Sequence, residues 1–117
     1  MTRLEHLAIA AIGDEDLVNG MRLAGISRYR LIEGDGDIRA DVRRSLTELV
    51  NDSEIGIIII LEEYAEHAED LIAGVRGEKS MTPVIVEVPS KHGTKHKDIG
   101  ALYKAYLKHF IGFDVEI

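Results

Sequence analysis

The chain contains no cysteine and no tryptophan, and it has only two prolines among its 117 residues. Without cysteine it can form no disulfide bond, no thiolate nucleophile and no zinc–thiolate site. Positive charge is also scarce, since 14 Lys and Arg residues stand against 21 Asp and Glu residues, which gives a net charge of −7. Phosphate contacts need clustered Lys and Arg side chains, so this balance argues against general nucleic-acid binding.

Long apolar segments are absent as well. Stretches without Asp, Glu, Lys or Arg run for only seven or eight residues, whereas a membrane-spanning helix needs about 20 apolar residues. The first six residues include Arg3, Glu5 and His6 and lack the basic-then-apolar shape of a secretory signal. The sequence therefore predicts one domain that buries its own core and does not itself cross a bilayer.

Short apolar runs alternate along the chain with helical patterns. The runs cover residues 7–12, 55–61 and 83–88, and residues 28–32 form a weaker run that partly alternates, as an edge strand does. The helical patterns cover residues 15–24, 38–50, 63–75 and 98–110. The order βαβαβαβα predicts an α/β fold with a four-stranded parallel open sheet and flanking helices, receiver-like or Rossmann-like, followed by an amphipathic C-terminal helix.

Several polar and glycine residues mark where these helices begin and end. Asp14 is a predicted N-cap of the first helix, and Gly25 is its predicted stop. The second helix begins at Asp35 or Asp37. The first turn of the third helix carries Glu62 and further glutamates, which favour the positive end of a helix.

Two glycine patterns resemble nucleotide-binding motifs, but each lacks a feature that its motif requires. The run that begins at Gly34 starts like a dinucleotide fingerprint, but Arg39 stands where the third glycine belongs. Gly20 and Gly25 have the spacing of a P-loop, but they lie at the end of a helix rather than at its start, so no cradle of backbone amides forms there. Turns and helix ends explain these glycines, and we predict no cofactor.

The acidic residues Asp14, Glu15 and Asp16 follow the first strand and suggest an alternative function. Receiver domains of signalling proteins hold magnesium with acidic side chains at this place. One hypothesis is therefore a receiver-like signalling domain that binds magnesium through Asp14 and Asp16. A receiver also needs an aspartate at the end of the third strand, where this chain has Leu61 followed by Glu62. A third interpretation is a small-ligand pocket at the strand ends, lined by Glu15, Glu62 and Lys91. His92 and His96 lie four residues apart with Gly93 between them, which does not favour a metal site.

The last predicted helix and the residues just after it carry four of the six aromatic residues of the chain. Apolar side chains recur along it at spacings of four and three, at Ile99, Tyr103, Tyr106, Phe110 and Phe113, and Leu102 and Leu107 widen the same face. We call these seven residues the C-terminal seam. Residues 91–109 hold five Lys and one Asp, whereas residues 62–70 hold five acids. This contrast favours docking of the seam on an external helical partner.

The sequence resembles one known family over nearly its whole length. The motifs that carry the resemblance are Ile12-Gly13-Asp14, Gly20-Met21-Arg22-Leu23-Ala24-Gly25, Pro83-Val84-Ile85-Val86-Glu87-Val88-Pro89-Ser90 and Ile111-Gly112-Phe113-Asp114. They are similar to those of the F subunit of the archaeal A-type and V-type rotary ATP synthases. The resemblance implies a receiver-like domain with a mobile C-terminal helix. The glycine- and lysine-rich stretch before that helix is typical of an exposed hinge. We therefore divide the chain into an α/β domain over residues 1–90, a polar hinge over 91–97 and a docking segment over 98–117.

The same resemblance implies a function without catalysis by this chain. Members of the family belong to the central rotor stalk, where they bind the coiled-coil D subunit beneath the catalytic A3B3 head. The resemblance thus implies that the C-terminal seam contacts the coiled coil or the head, that the chain needs no metal or cofactor, and that it reaches the cytoplasmic face of the membrane only as a peripheral part of the complex.

Overall fold

The computed structural model describes residues 7–78 and 83–89 of the chain. These residues contain all four predicted strands and the first three predicted helices. The predicted fourth helix, the polar hinge and the whole C-terminal seam lie outside the described residues. The division into three segments therefore stays a prediction.

The described elements follow the predicted order. The strands are β1 (Ala8–Gly13), β2 (Arg28–Leu31), β3 (Ile55–Leu61) and β4 (Val84–Val88). The helices are α1 (Glu15–Leu23), α2 (Ile38–Val50), α3 (Glu62–Ala65) and α4 (Glu69–Arg76), with a 3-10 turn over Glu66–Ala68 between the last two. The predicted boundaries of the four strands and of α1 and α2 agree with these bounds to within one residue.

The four strands form one parallel sheet in the order β2-β1-β3-β4. The chain moves outwards from β1 to β2 and then returns past β1 to β3. Because such crossovers are right-handed, this reversal places α1 on one face of the sheet and the later helices on the other. Consistent with this arrangement, α1 contacts β1 and β2, whereas α2 contacts β1 and β3 and packs on α3 and α4. We call the two sides the α1 face and the α2 face.

The core lies on both sides of β3, which explains the uninterrupted apolar sequence of that strand. Ile58, Ile59 and Ile60 are fully buried, and successive side chains of a strand point to opposite faces. Helices supply the layers that cover them. The buried apolar side chains of the helices and of the 3-10 turn are Leu17, Val18, Met21, Val42, Leu46, Leu49, Tyr64, Ala65, Ala68 and Ile72.

The predicted start and end of α1 are confirmed, and the structure decides between the two residues predicted to begin α2. The Asp14 carboxylate accepts a hydrogen bond from the backbone N–H of Leu17 at 2.9 Å, and Asp37, rather than Asp35, accepts one from Ala40 at 3.1 Å. Gly25 has a φ of 100°. Its N–H donates to the Arg22 carbonyl and the N–H of Ile26 donates to the Met21 carbonyl, which is the Schellman arrangement that ends a helix.

The third predicted helix is broken in the structure, so its prediction as one continuous helix over residues 63–75 is wrong. The segment still buries one helical face, because Tyr64, Ala68 and Ile72 recur at a spacing of four and are all buried. The break coincides with a contact from α2: the Arg43 guanidinium donates to the carbonyl oxygen of His67 at 3.1 Å and to both oxygens of Asp70 at 2.7 and 2.9 Å. Arg43 thus satisfies a carbonyl beside the break and ties α4 to α2.

We predict that the Asp70→Asn variant loses part of the pH dependence of stability. The Arg43 guanidinium holds the pKa of the Asp70 carboxyl well below its usual range, mainly through their hydrogen bonds. A lowered pKa in the folded state adds stability above the unfolded pKa, which is about 4 for Asp, and this contribution disappears as the pH falls through the folded value.

Urea unfolding of both proteins between pH 7 and pH 3 tests this expectation. The wild type should have the higher midpoint at pH 7, and the gap should narrow below about pH 4. Glu78→Gln removes an exposed carboxylate beyond α4 and serves as the control. Its urea midpoint should stay close to that of the wild type at each pH. A gap between wild type and Asp70→Asn that stays constant with pH would contradict the role given to the ion pair.

Candidate functional site

The carboxyl ends of β1 and β3 meet where the strand order reverses, the position at which open α/β sheets bind ligands. Gly13 and Asp14 leave β1 there, and Leu61 and Glu62 leave β3. The sequence places its acidic cluster at the same edge. This edge is therefore the first candidate for a functional site.

The Asp14 carboxylate is committed to the start of α1. It accepts the N–H of Leu17, while the Asp14 carbonyl accepts the N–H of Val18 at 3.0 Å. Glu15 and Asp16 occupy the first turn of the helix, where negative charge is favourable. The arrangement is that of a capped helix N-terminus.

The side chain of Leu17 packs on Gly13, the last residue of β1. A Cβ atom built on Gly13 would lie 2.7 Å from the Leu17 Cβ, so only glycine fits beneath it. Leu17 is itself fully buried. This packing places an apolar side chain against the last residue of β1 on the α1 face of the sheet.

The end of β3 also lacks reactive groups. Leu61 is fully buried, and α3 begins at Glu62 immediately after it. Within residues 7–78 and 83–89, no group of three or more His, Asp or Glu side chains is arranged to hold a metal ion. An apolar Leu61 cannot accept a phosphoryl group, so the described part of this edge lacks the phosphoacceptor that the receiver hypothesis requires.

The sequence pattern does not single out Tyr64, which the structure places near Asp14 at this edge. Burial raises the pKa of the Tyr64 hydroxyl, and the nearby negative charges of Asp14 and Glu63 raise it further. The phenol therefore stays protonated and neutral at physiological pH. No sequence signal marks this proximity, because it depends on how α3 packs beside the end of β1.

A shallow cleft of about 300 Å³ opens between β2 and α2. Its lining residues are Arg30, Leu31, Ile32, Glu33, Asp41, Arg44, Ser45 and Glu48. Both arginines already have carboxylate partners, because Arg30 lies 3.6 Å from Glu48 and Arg44 lies 2.7 Å from Asp41. Neither arginine in the lining of this cleft is therefore unpaired and available to bind an anionic ligand.

The residues predicted to bind a partner cannot be placed on this framework. The C-terminal seam, from Ile99 to Phe113, lies outside the described residues, as does Lys91. The described sheet edge therefore contains Asp14, Glu62 and Tyr64. No residue of the predicted docking segment is among the residues described there.

Comparison with known proteins identifies the family. A model of the family described as the ATP synthase (F/14-kDa) subunit matches residues 9–104. The chain belongs to this family of ATP synthase F subunits. It is 31% identical to the A-type ATP synthase F subunit of Methanococcus maripaludis over 110 residues, which are 94% of this chain and all of that protein. Over 90 residues it is 39% identical to the F subunit of Thermococcus kodakarensis, covering 76% and 80% of the two chains.

A solved structure supports the fold of this member of the F-subunit family. The crystal structure of the V-type ATP synthase F subunit of Archaeoglobus fulgidus matches with a TM-score of 0.58. The match covers 70% of this chain and 96% of that chain, at 22% sequence identity. The predicted four-stranded parallel sheet with flanking helices is thus confirmed. Among the residues that the model describes, no helix has the length and apolar character to cross a membrane.

We predict that Gly13→Ala destabilises the protein whereas Gly34→Ala does not. The added methyl at residue 13 would overlap Leu17 and force the start of α1 to shift, which costs about 1–3 kcal/mol of unfolding free energy. At residue 34 a Cβ meets nothing within 4 Å. Equal unfolding midpoints for the two variants in urea would contradict this account of the β1 end.

We predict that acetyl phosphate with Mg²⁺ leaves the mass of the intact protein unchanged, because Leu61 stands at the phosphoacceptor position. A receiver domain of known activity, treated in parallel, shows that the reagent is competent. Intact-mass spectrometry gives the readout. A phosphoryl adduct that disappears in Asp14→Asn would revive the receiver hypothesis.

Proposed function

We propose that this F subunit is a non-catalytic component of the central rotor stalk of an A-type or V-type ATP synthase. Its family membership and the apolar strand ends at Gly13 and Leu61 support this role. The described carboxyl edge, where the fold would bind a substrate, is occupied by a helix cap and buried leucines. Nucleotide chemistry then belongs to the A3B3 head, and the F subunit contributes binding.

The proposed partner in the stalk is the coiled-coil D subunit. A coiled coil offers rows of apolar side chains flanked by charges, which match a helix with a heptad-like seam. The residues assigned to this contact are the seven of the C-terminal seam. The basic character of residues 91–109 separates this segment from the acidic surface of α3 and α4, where Glu62, Glu63, Glu66 and Glu69 lie.

Binding to the stalk also sets where the protein works. It would associate with the cytoplasmic face of the membrane as a peripheral part of the complex and would contact the bilayer only through other subunits. By holding the rotating coiled coil it would help to couple ion translocation to ATP synthesis or hydrolysis. The compact α/β domain serves in this role as a rigid base from which the last segment reaches its partner.

We predict that Tyr106→Ala weakens binding to the coiled-coil partner by about tenfold or more, since buried aromatic side chains dominate such contacts. Isothermal titration of the full chain with the coiled-coil partner measures the loss. Lys108→Ala provides a matched control, because residue 108 is two positions from Tyr106 and therefore on the other side of the predicted helix. Its effect should be small and should decrease with salt.

Thermal unfolding of the isolated protein completes this test. Tyr106→Ala should unfold at the same temperature as the wild type if the side chain serves a partner. An unfolding temperature lowered by many degrees, with unchanged affinity for the coiled coil, would show that Tyr106 belongs to the protein's own core and would refute the assignment.

A further inference from the structure

The break between α3 and α4 has no cause in the sequence around it. Residues 62–73 contain neither glycine nor proline, the residues that usually interrupt a helix, and eight of these twelve are the strong helix formers Ala, Glu and Leu. Nevertheless the backbone leaves the helical conformation at Ala68, whose φ and ψ are −140° and 30°. The cause of the break therefore lies outside residues 62–76, which we call the broken segment.

One helical hydrogen bond is missing at the break. In a continuous helix the carbonyl oxygen of His67 would accept the N–H of Leu71, four residues further on. Here α4 begins at Glu69 with Ala68 as its N-cap residue, so its first intrahelical hydrogen bond starts at the Ala68 carbonyl. The His67 carbonyl and the Leu71 N–H therefore each need another partner.

Arg43 and Asp70 supply both of these partners. The Arg43 guanidinium, on α2, donates to the His67 carbonyl oxygen at 3.1 Å. The backbone N–H groups of Leu71 and Asp70 stabilise the negative charge of the Asp70 carboxylate. The two side chains also bind each other, through hydrogen bonds of 2.7 and 2.9 Å. A connected set of charge-assisted contacts thus replaces one backbone hydrogen bond, and we call it the Arg43 latch.

Apolar packing holds α4 less firmly than the other long helices. It buries one residue, Ile72, whereas α1 and α2 bury four each. Its far end is tied to the edge strand β4 by Arg76, which donates to the Ile85 carbonyl oxygen at 3.0 Å. Arg30 covers the opposite edge strand in the same way, by donating to the Tyr29 carbonyl oxygen at 3.2 Å. A helix with few buried side chains rearranges at a lower free-energy cost than the core.

We propose that the Arg43 latch is a conformational switch between two forms of the broken segment. Closed, it holds residues 62–76 as two helices. Open, it lets the His67 carbonyl accept the Leu71 N–H, so that the segment becomes one continuous helix and α4 moves away from β4. The start of the segment stays in place, because Tyr64 and Ala65 are buried.

The position of the latch allows it to open while the core stays folded. The Arg43 and Asp70 side chains are 30% and 67% exposed, so water and ions reach both of them. The apolar spacing of Tyr64, Ala68 and Ile72 suits a continuous helix as well as the broken one. The latch therefore decides between the two forms, and it links the surface of α2 to the position of α4 on β4. This inference is independent of the proposed function.

The decisive comparison is between Arg43→Met and Arg44→Met in the full chain. Both remove one arginine charge from α2, but Arg44 pairs with Asp41 of the same helix and is not part of the latch. Carbon-13 NMR shifts of the Ala68 backbone report its conformation. The shifts should be non-helical in the wild type and in Arg44→Met, and they should move to helical values in Arg43→Met.

Two results would overturn the proposal. If Arg43→Met is folded and the Ala68 shifts are unchanged, the break does not depend on the latch. If the amide hydrogens of residues 62–76 all exchange rapidly in a variant whose sheet stays protected, Arg43 only supports the segment and does not select between two helical forms. Should Arg43→Met fail to fold, Asp70→Asn replaces it: the Ala68 shifts should then move towards helical values, and unchanged shifts would refute the switch.

A distance measurement tests the movement of α4 directly. The chain has no cysteine, so Ala73→Cys on α4 and Val84→Cys on β4 introduce two unique attachment points for spin labels, both at exposed positions. Pulsed electron paramagnetic resonance gives the distance between the labels. Adding Arg43→Met should shift the distance distribution, whereas adding Arg44→Met should leave it as in the labelled parent. An unchanged distance in the Arg43→Met protein would overturn the proposed movement of α4.

Discussion

The packing of Leu17 on Gly13 is the contact on which the arrangement of the domain depends. It sets the start of α1 against the end of β1, together with the cap that Asp14 forms. With α1 held there, its buried side chains Leu17, Val18 and Met21 cover one face of the sheet. The same contact requires glycine as the last residue of β1, because any larger side chain would overlap Leu17. The position of α1 and the identity of residue 13 thus share one cause.

The charged groups at the strand ends hold the helices in place, so the charges that remain exposed lie on the outer surface of the helices. At the strand ends, Tyr64 is neutral and Asp14 serves as a cap, so the charges are used to position helices. The surface of α3 and α4 is acidic, whereas Arg22 is exposed beside Tyr29. This separation of acidic and basic surface suits the partner-binding role that we propose above.

Much of the fold was predictable because its signals are local. Asp14, Asp37 and Gly25 act on the helix ends next to them, and the apolar run of β3 reflects burial on both faces. The break in the third helix was not predictable, since Arg43 reaches His67 across 24 positions of sequence. The proximity of Tyr64 to Asp14 and the cation–aromatic pair of Arg22 and Tyr29 likewise arise only from packing between elements.

The hydrogen bond from Arg30 to the Tyr29 carbonyl has a consequence for the protein before it joins its complex. A newly made copy exposes the outer edge of β2, and the open backbone of an edge strand can pair with another chain. By occupying that carbonyl and placing a charge beside it, Arg30 opposes such pairing. A single side chain thereby acts as a safeguard against aggregation before assembly, separate from any part it plays in the complex.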